Sequence, residues 1–255
     1  MVFNKNTLFI GRTIHHFEAL PSTNAHAIDL LSKSKPSEGT VISASNQVEG
    51  RGQHGSTWET AANQNITLSV ILYPNFLLPK HQFWLSQAIA LAVRDFVVAI
   101  LPHKNVFIKW PNDIYVEDKK IAGILIQNSI NKSGIANTVV GIGLNVLQSS
   151  FNFQGRRQAT SLFLEAEQPY NLGYLKYQLY WFLECRYLQL KANKIHQLQS
   201  DYMDVLYKYQ TPHLYELANG EQFTGVIQGI TPNGELVIKR GTEVLSFRIK
   251  EITFL

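Results

Sequence analysis

Apolar and polar residues follow two different periods along the chain, and these periods predict a structure with both helices and strands. Short runs of alternating or continuous apolar residues predict strands, whereas apolar residues spaced three and four apart predict helices. Both kinds of segment are interspersed up to about residue 210, which predicts an α+β fold. The predicted elements are one or two strands in 7–20, a helix in 21–35, strands in 39–45 and 65–73, a helix from Pro79 to about Leu101, a strand in 105–110, a hairpin in 113–130 that turns at Glu117-Asp118, a strand in 134–146, and one or two helices in 171–209.

The pattern changes after residue 211. Apolar and polar residues alternate from there to the C-terminus, and Asn219-Gly220 and Asn233-Gly234 are typical hairpin turns. Roughly four or five strands in so short a segment predict a small β-barrel. The sequence therefore predicts two domains, residues 1–210 and residues 211–255.

The composition restricts the cellular compartment in which we expect the protein and the kinds of partner that we expect it to bind. Its single cysteine, Cys185, excludes an internal disulfide and fits a reducing cytosol. No secretory signal is present at the N-terminus, and Arg94 and Asp95 interrupt the longest apolar stretch, which we expect to be a core helix and not a membrane span. The formal net charge is +4 at pH 7, and the basic residues are scattered. We therefore expect a cytoplasmic protein that binds neither membrane nor nucleic acid, with a charge that suits a phosphate-binding site.

Residues 50–55 (GRGQHG) match the pattern G-x-G-x-x-G of nucleotide-binding loops. A dinucleotide site needs a helix after this pattern and an acidic residue about 20 positions further on. Here a strand follows, no Asp or Glu lies between Glu59 and Arg94, and the motifs of protein kinases are absent. Two interpretations remain, a flexible surface loop or a loop that holds a phosphate. Arg51, His54 and Trp58 favour the second, because they combine nitrogen donors with an aromatic ring.

A second motif, residues 108–116 (IKWPNDIYV), places a lysine at the end of a strand and a carboxylate after a turn. Lys109 suits contact with a phosphate or carboxylate oxygen, and Asp113 could hold Mg²⁺ together with a substrate phosphate. The alternative is an exposed strand end and an ordinary turn. Glycines inside predicted strands, at Gly123 and in residues 141–143, indicate either a bulge or the close approach of a ligand.

Five motifs in this order resemble the biotin–protein ligases, also called biotin–[acetyl-CoA-carboxylase] ligases. The resemblance covers residues 14–146, and the C-terminal segment has the size and place of that family's SH3-like domain. It implies a catalytic domain with a class II aminoacyl-tRNA-synthetase-like fold, in which helices flank a mixed sheet. The matching motifs are Ser22-Thr23-Asn24, Gln47 with Gly50-Arg51-Gly52-x-x-Gly55 and Trp58, Lys109-Trp110-Pro111-Asn112-Asp113, Lys120-Ile121-Ala122-Gly123-Ile124, and Gly141-Ile142-Gly143-Leu144-Asn145.

The resemblance also implies a reaction in two steps. The carboxylate of biotin attacks the α-phosphate of ATP in the presence of Mg²⁺, which yields biotinyl-5′-AMP and pyrophosphate. A lysine amine on a biotin carboxyl carrier protein then attacks the mixed anhydride and releases AMP. The glycine loop would order over the intermediate and protect it from water.

Each motif has an implied role in this reaction. Lys109 and Arg51 would be the catalytic cations, because two anions must meet in the first step. The biotin site would comprise Ser22, Thr23, Asn24, Gln47, Arg51, Gly52, Gln53, Lys109 and Gly123. The nucleotide site would comprise Arg51, Trp58, Asn112, Asp113 and Asn145, with Asp113 also as a ligand of Mg²⁺.

The chain departs from the family pattern in its glycine loop. The best-known loop of the family reads Gly-Arg-Gly-Arg-Arg-Gly-Arg, whereas this chain has Gln53, His54 and Ser56 at the later arginine positions. We therefore expect the adenylate to be held less tightly. Only about a dozen residues precede the catalytic region, so no sequence-specific DNA binding is expected. The sequence is compatible with either a monomer or a weak homodimer in solution. In a homodimer, strand edges near residues 120–146 could pair between the two copies.

Two other functions are compatible with parts of the sequence. A lipoate–protein ligase would share the catalytic fold, but its Arg-Arg-x-x-Gly-Gly-Gly signature is absent. A non-catalytic biotin sensor would use the C-terminal barrel to dock a protein or a nucleic acid, although that segment has few basic residues on one strand face. Transfer of biotin to a carrier domain distinguishes the ligase from both.

Overall fold

The computed structural model describes residues 6–50, 52–53, 57–132, 134–151 and 158–255. The helices within these residues are α1 (Thr23–Lys33), α2 (Gln82–Ile100), α3 (Leu162–Ala166), α4 (Leu172–Lys191) and α5 (Ile195–Asp204). The strands are β1 (Ile14–Leu20), β2 (Val41–Gln47), β3 (Asn65–Leu72), β4 (Val106–Lys109), β5 (Asp113–Val116), β6 (Lys119–Asn131), β7 (Gly134–Asn145), β8 (Pro212–Leu217), β9 (Gln222–Ile230), β10 (Leu236–Arg240), β11 (Glu243–Phe247) and β12 (Ile252–Phe254).

Seven strands form one mixed sheet in the order β1-β2-β3-β7-β6-β5-β4. Strands β1 and β2 run parallel, and each of the other neighbouring pairs is antiparallel. Together with the helices that pack on it, this sheet confirms the predicted mixed sheet flanked by helices. The sequence predicted free strand edges near residues 120–146, but strands β6 and β7 lie inside the sheet. Only the part of β6 after Gly123 has a free edge, because β6 extends there beyond its partner β5. Pairing between two copies of the chain stays a prediction.

The two faces of this sheet differ in character. Successive side chains of a strand point to opposite faces, so neighbouring residues of β3 and β7 separate into two sets. The rear face carries large apolar residues such as Leu68 and Ile142, which share one core with α2 and α4. The front face carries Thr67, Ser69 and the glycines of β7, and α1 packs against it. The front face is therefore the face with room for a ligand.

Helix α1 begins where the sequence predicts it. The Ser22 hydroxyl accepts a hydrogen bond from the Ala25 N–H at 3.4 Å, which caps the first turn. Thr23 and Asn24 are buried, whereas most of the remaining helix is partly exposed. The N-terminal turn of α1 is thus the part that faces the sheet.

Helix α2 confirms the expected core helix. A 3₁₀ turn at Pro79–His81 precedes it, and its middle turns are almost completely buried. Among the described residues, the segment Pro79–Ile100 is the one helical stretch long and apolar enough to cross a membrane. Its apolar side chains are instead covered by the rear face of the sheet and by α4.

The predicted helical region at residues 171–209 forms two helices, α4 and α5, which a turn with a left-handed residue at Asn193 separates. The short helix α3, capped by Ser161, was absent from the sequence-based prediction because five residues carry too little periodicity. The buried carboxylate of Glu184 on α4 accepts hydrogen bonds from the backbone N–H groups of residues 8–10 at 2.6, 2.8 and 2.9 Å. These bonds fasten the N-terminal segment to the helix layer.

The C-terminal strands form a second, antiparallel sheet in the order β11-β10-β9-β8-β12. Gly220 and Gly234 have φ angles of +85° and +90°, as the predicted hairpin turns require. This sheet contacts the first unit closely, because the Trp110 indole N–H donates to the Gly234 carbonyl at 2.9 Å. The separate sheet begins at Pro212, next to the predicted boundary, whereas the division into two domains stays a prediction.

Candidate active site

Glycines of β6 and β7 make a flat floor on the front face. We define the glycine floor as Gly123, Gly141 and Gly143, of which Gly123 and Gly143 are cross-strand neighbours. A Cβ on Gly143 would lie 2.3 Å from Cε2 of Trp58, and one on Gly141 would lie 2.2 Å from Oδ1 of Asn24. Because real Cβ atoms do not approach so closely, these glycines are required by close packing and not by a bulge.

Polar side chains at the start of α1 and the end of β2 border this floor. The Gln47 Oε1 atom accepts hydrogen bonds from the backbone N–H of Thr23 at 2.9 Å and from its hydroxyl at 3.2 Å. Gln47 Nε2 has no hydrogen-bond partner among the residues that the structure describes. The structure thus brings Ser22, Thr23 and Gln47 together, as predicted, and leaves a donor available beside the floor.

The side-chain amide of Asn24, a predicted biotin-site residue, is hydrogen-bonded to the sheet. Its Nδ2 donates to Gln127 Oε1 at 2.9 Å, and the Ser69 hydroxyl lies 2.6 Å from its Oδ1. Both ends of the amide are therefore occupied by the protein, and Asn24 braces the first turn of α1 against the sheet. Ser69 and Gln127 were not identified from the sequence, although a serine in the otherwise apolar β3 was a usable signal.

Trp58 covers the floor. Its backbone N–H donates to the Gly50 carbonyl at 2.9 Å and closes the base of the glycine loop. Its indole ring lies against Gly143 and Gly123, and the indole Nε1 is buried with no hydrogen-bond partner. In the same loop the Gln53 Oε1 is also buried and unpaired, and Gly52 is partly buried. Predicted residues Arg51 and His54 lie outside the described residues.

The cation beside the floor is Lys120. Its Nζ lies 2.7 Å from Oδ1 of Asp113, 5.5 Å from the centroid of the Trp58 ring, and 3.3 Å from where a Cβ on Gly123 would stand. A lysine three residues before Gly123 would face away from it in a regular strand. A register shift between Ile114 and Tyr115 pairs Tyr115 with Lys120, and this bulge returns the lysine to the front face. The sequence shows Lys120 itself, but its local pattern does not predict the bulge that turns this lysine to the front face.

Lys109, the predicted catalytic lysine, is the cross-strand neighbour of Asp113. Its Nζ is 3.3 Å from the Tyr115 hydroxyl, 4.8 Å from the centroid of the Tyr115 ring and 4.9 Å from that of Phe254. The ring of Tyr207 is 5.7 Å away. These rings form an aromatic cage between the first sheet and the C-terminal strand β12. Lys109 pairs across the strands with Asp113, and Asp113 pairs with Gly123, so Lys109 and the glycine floor share the front face of the sheet. Its role as the cation at the biotin and phosphate site stays a prediction.

The predicted nucleotide residues surround one end of the floor. Asn145 is 3% exposed and donates from Nδ2 to the Thr160 carbonyl at 3.0 Å, whereas its Oδ1 is buried without a partner. Asn112 donates from Nδ2 to the Ile124 carbonyl at 2.6 Å, which holds the turn against β6. Asn112 is thus engaged with the backbone, and Asn145 retains an unsatisfied acceptor.

One carboxylate is available for a metal. Among the described residues no group of three or more His, Cys, Asp or Glu side chains could hold a metal ion, and Asp113 already pairs with Lys120. A single carboxylate fits Mg²⁺ only when substrate phosphates and water complete the coordination. The predicted role of Asp113 therefore depends on a nucleotide that brings the ion.

Comparisons with known proteins agree with this geometry. The Biotin/lipoate A/B protein ligase family matches residues 16–145. The chain is 31% identical over 224 residues to the biotin–[acetyl-CoA-carboxylase] ligase of Mycobacterium tuberculosis, which covers 86% of this chain and 80% of that protein. It is 32% identical over 163 residues to the bifunctional ligase/repressor BirA of Bacillus spizizenii, which covers 63% of this chain and 49% of BirA.

A solved structure shares the fold over almost the whole chain. The biotin protein ligase from Aquifex aeolicus, in complex with biotin and ATP, superposes with a TM-score of 0.77 at 20% sequence identity. The match covers 96% of this chain and 99% of that one. The C-terminal β sheet is therefore part of the shared fold.

Proposed function

Because the chain belongs to the Biotin/lipoate A/B protein ligase family, we propose that it activates biotin as biotinyl-5′-AMP and transfers it to a lysine of a biotin carboxyl carrier protein. The observation that carries the proposal is the combination of a glycine floor, a polar end at Thr23 and Gln47, and the cation Lys120 beside the floor. These groups match a flat ligand with a polar ring at one end and a carboxylate at the other.

The polar end suits the ureido ring of biotin. Each N–H and C=O group of that ring needs a partner once it is buried. Gln47 Nε2 offers a donor, and so does the Ser22 hydroxyl, which accepts a hydrogen bond from the Ala25 N–H. The glycines of β6 and β7 add no side chains of their own, so Trp58 lies directly on the floor and a ring beside it can come close to the backbone of the strands.

In the first step a biotin carboxylate oxygen bonds to the α-phosphorus of ATP, and the bond from that phosphorus to the bridging oxygen of pyrophosphate breaks. Two anions must approach each other. Lys120 beside the floor is one described cation that could stabilise both, and Lys109 on the same face of the sheet is the cation that the family motif implies. Its charge-assisted hydrogen bonds would strengthen as charge develops on the phosphate oxygens. Arg51 of the glycine loop is proposed to assist, on the grounds of the family motif.

The nucleotide is proposed to bind beside Trp58 and Asn145. The unpaired Asn145 Oδ1 can accept from an exocyclic amine such as that of adenine, and the Trp58 ring offers a stacking surface. Mg²⁺ would enter with the ATP phosphates, which it would neutralise, and Asp113 would supply one carboxylate. When it binds the ion, Asp113 would release Lys120 toward the substrate anions.

In the second step the neutral amine of the acceptor lysine attacks the acyl carbon of biotinyl-5′-AMP. An amide bond forms, the bond between the acyl carbon and the phosphate oxygen breaks, and AMP leaves. Trp58 and the glycine loop would shield the anhydride from water before the acceptor arrives.

The test is a pair of assays on the purified chain. Biotin-dependent ATP–pyrophosphate exchange measures the first step, and transfer of labelled biotin to a purified carrier domain measures the second. We expect activity in both. Exchange that requires lipoate instead of biotin would identify a lipoate–protein ligase, and biotin binding without transfer to any carrier domain would identify a biotin sensor.

A further inference from the structure

The aromatic cage around Lys109 combines rings from parts of the chain that are distant in sequence. Tyr115 belongs to β5 of the first sheet, Tyr207 follows α5, and Phe254 lies on β12 of the C-terminal sheet. The Lys109 Nζ lies 4.8, 5.7 and 4.9 Å from the centroids of these three rings. An ammonium group within about 6 Å of a ring centroid is attracted by the negative charge of the ring face. Each ring is therefore close enough to hold the lysine.

The two tyrosine rings of the cage are fixed to the first sheet. Tyr115 and Tyr207 are both buried, and their ring centroids are 5.3 Å apart. The Tyr207 hydroxyl donates to Oδ1 of Asp118 at 2.6 Å, and its backbone N–H donates to the Ile108 carbonyl at 2.9 Å. These two rings therefore keep their places whether or not a substrate is bound.

The third ring, Phe254, is held by the C-terminal sheet. Phe254 pairs with Tyr215 of β8, and the two rings pack edge to face with centroids 5.2 Å apart. Tyr215 is completely buried, and the Leu255 N–H donates to the Leu214 carbonyl at 3.1 Å, which continues the pairing to the end of the chain. Phe254 is thus a fixed contact through which the C-terminal sheet reaches Lys109.

The cage lies at one end of a row of residues that leads to the glycine floor. The row crosses strands β4 to β7 on the front face through successive cross-strand pairs, namely Lys109, Asp113, Gly123 and Gly143. A lysine amine on its flexible stem has many positions, and ordering it opposes catalysis. A cage that holds the amine on the front face before the substrates arrive reduces this cost.

We propose that Phe254 is a positioning residue for the first step of the reaction, and that its ring acts by holding the Lys109 ammonium group on the front face. The inference rests on the proposed function, in which Lys109 is the cation that the family motif implies. The C-terminal sheet then contributes to adenylation through one side chain, while Tyr115 and Tyr207 complete the cage from the first sheet.

A double-mutant cycle tests whether Phe254 acts through Lys109, with biotin-dependent ATP–pyrophosphate exchange as the measurement. Phe254→Leu keeps an apolar side chain on β12 but removes the ring, and we expect exchange to fall about tenfold. In the Lys109→Met background the same substitution should cause no further loss, because no charge remains for the ring to hold. Phe247→Leu is the matched control. The Phe247 ring stacks on Phe223 in the same sheet, outside the cage, so this variant should retain roughly wild-type exchange.

A second series changes the charge of the ring face and keeps its shape. Phe254 is replaced by 4-fluoro-, 3,5-difluoro- and 3,4,5-trifluorophenylalanine, because fluorine withdraws electron density from the ring face with little change in size. We expect exchange to fall stepwise along this series, while the melting temperature stays constant. Packing by Phe254 without attraction to Lys109 would leave exchange constant. This series decides the question if Phe254→Leu fails to fold.

The outcomes separate this inference from the proposed function. Absence of exchange in the wild type would contradict the proposed function, and the inference with it. With exchange present in the wild type, four results would overturn the inference alone. These are near-normal exchange in Lys109→Met, undiminished or faster exchange in folded Phe254→Leu, additive losses in the double variant, and constant exchange along the fluorinated series.

Discussion

At the scale of single residues, two lysines of neighbouring motifs have different surroundings. Lys109 follows a strand and precedes a turn, as expected of a phosphate contact, yet its ammonium group lies in an aromatic cage. Lys120 lies in a hairpin strand, and its ammonium group lies beside Trp58 and Asp113. Both lysines lie on the front face of the sheet, so the loss of activity on removing each charge decides which one acts on the substrate.

The same substitution at both lysines tests this assignment. Lys120→Met removes the charge beside the floor, and we expect biotin-dependent ATP–pyrophosphate exchange to fall by a factor of about 100 to 1,000. Lys109→Met removes the charge that the family motif implies to be catalytic, and exchange should fall by a similar factor because both lysines lie on the front face. Exchange assays on both folded variants provide the measurement, and near-normal exchange in either variant would remove that lysine from the catalytic role.

The glycine floor permits a second test at this scale. Gly143→Ala would place a methyl group 2.3 Å from Trp58 Cε2, and β7 cannot retreat because β3 and β6 hold it on both sides. The indole must move and the floor is no longer flat, so we expect the affinity for biotin to fall at least tenfold in calorimetric titration. Gly229→Ala, which adds a methyl group in open space, is the control. Unchanged affinity in Gly143→Ala would show that biotin does not lie on the floor.

At the scale of secondary-structure elements, one arginine joins three helices. Arg186 of α4 pairs with Asp95 of α2 at 2.7 Å and with Asp201 of α5. All three side chains are at least three-quarters buried, so the network is shielded from bulk water more than the exposed ion pairs are. These helices cover the rear face, and the network therefore supports the layer beneath the floor.

This network makes stability depend on pH. Burial alone would raise the pKa of Asp201, but the hydrogen bonds from Arg186 and Gln197 outweigh it and hold that pKa below its ordinary value. A lowered pKa in the folded state contributes stability above the ordinary pKa of about 4, and this contribution disappears as pH falls through the folded value. The free energy of unfolding should therefore decrease with acidification, and less steeply in Asp201→Asn.

Urea unfolding at a series of acidic pH values measures this difference. Asp29→Asn is the matched control, because Asp29 pairs with Lys33 on the surface of α1, where solvent screens the interaction. Parallel pH profiles for the wild type and Asp201→Asn would contradict the prediction.

At the scale of the whole molecule, the two sheets share one continuous apolar core. The cluster that contains α2 and the rear face also includes Tyr215 and Ile238 of the C-terminal sheet. The hydrogen bond from Trp110 to the Gly234 carbonyl joins the same two units. We therefore expect the chain to unfold in one cooperative transition.

Two tryptophan substitutions test this connection. Trp110→Phe leaves the Gly234 carbonyl without its donor and should lower the free energy of unfolding by about 1 to 3 kcal/mol more than Trp84→Phe does. Trp84 is the matched control because its Nε1 has no partner to lose. Urea unfolding followed by far-UV circular dichroism measures both, and equal losses would show that the hydrogen bond between the units contributes nothing.

The sequence by itself determined the elements and the family. Nearly every element apart from the short α3 was predictable, because its signal involves only residues that are close in sequence. These signals are the alternation of apolar residues in strands, their spacing in helices, the Ser22 cap and the Asn-Gly turns. The glycines of β6 and β7 were identifiable for the same reason, because a missing side chain is a property of the position itself. The motifs together indicate a biotin–protein ligase from the sequence alone.

Only the tertiary structure decided which side chains meet. The bulge opposite Ile114 turns Lys120 to the front face, and the packing of β12 encloses Lys109 among aromatic rings. The occupied amide of Asn24 likewise depends on strands that are distant in sequence. A contact across elements depends on register, bulges and the approach of a second sheet. Local sequence patterns carry none of these, because they record only the preferences of each residue and its near neighbours.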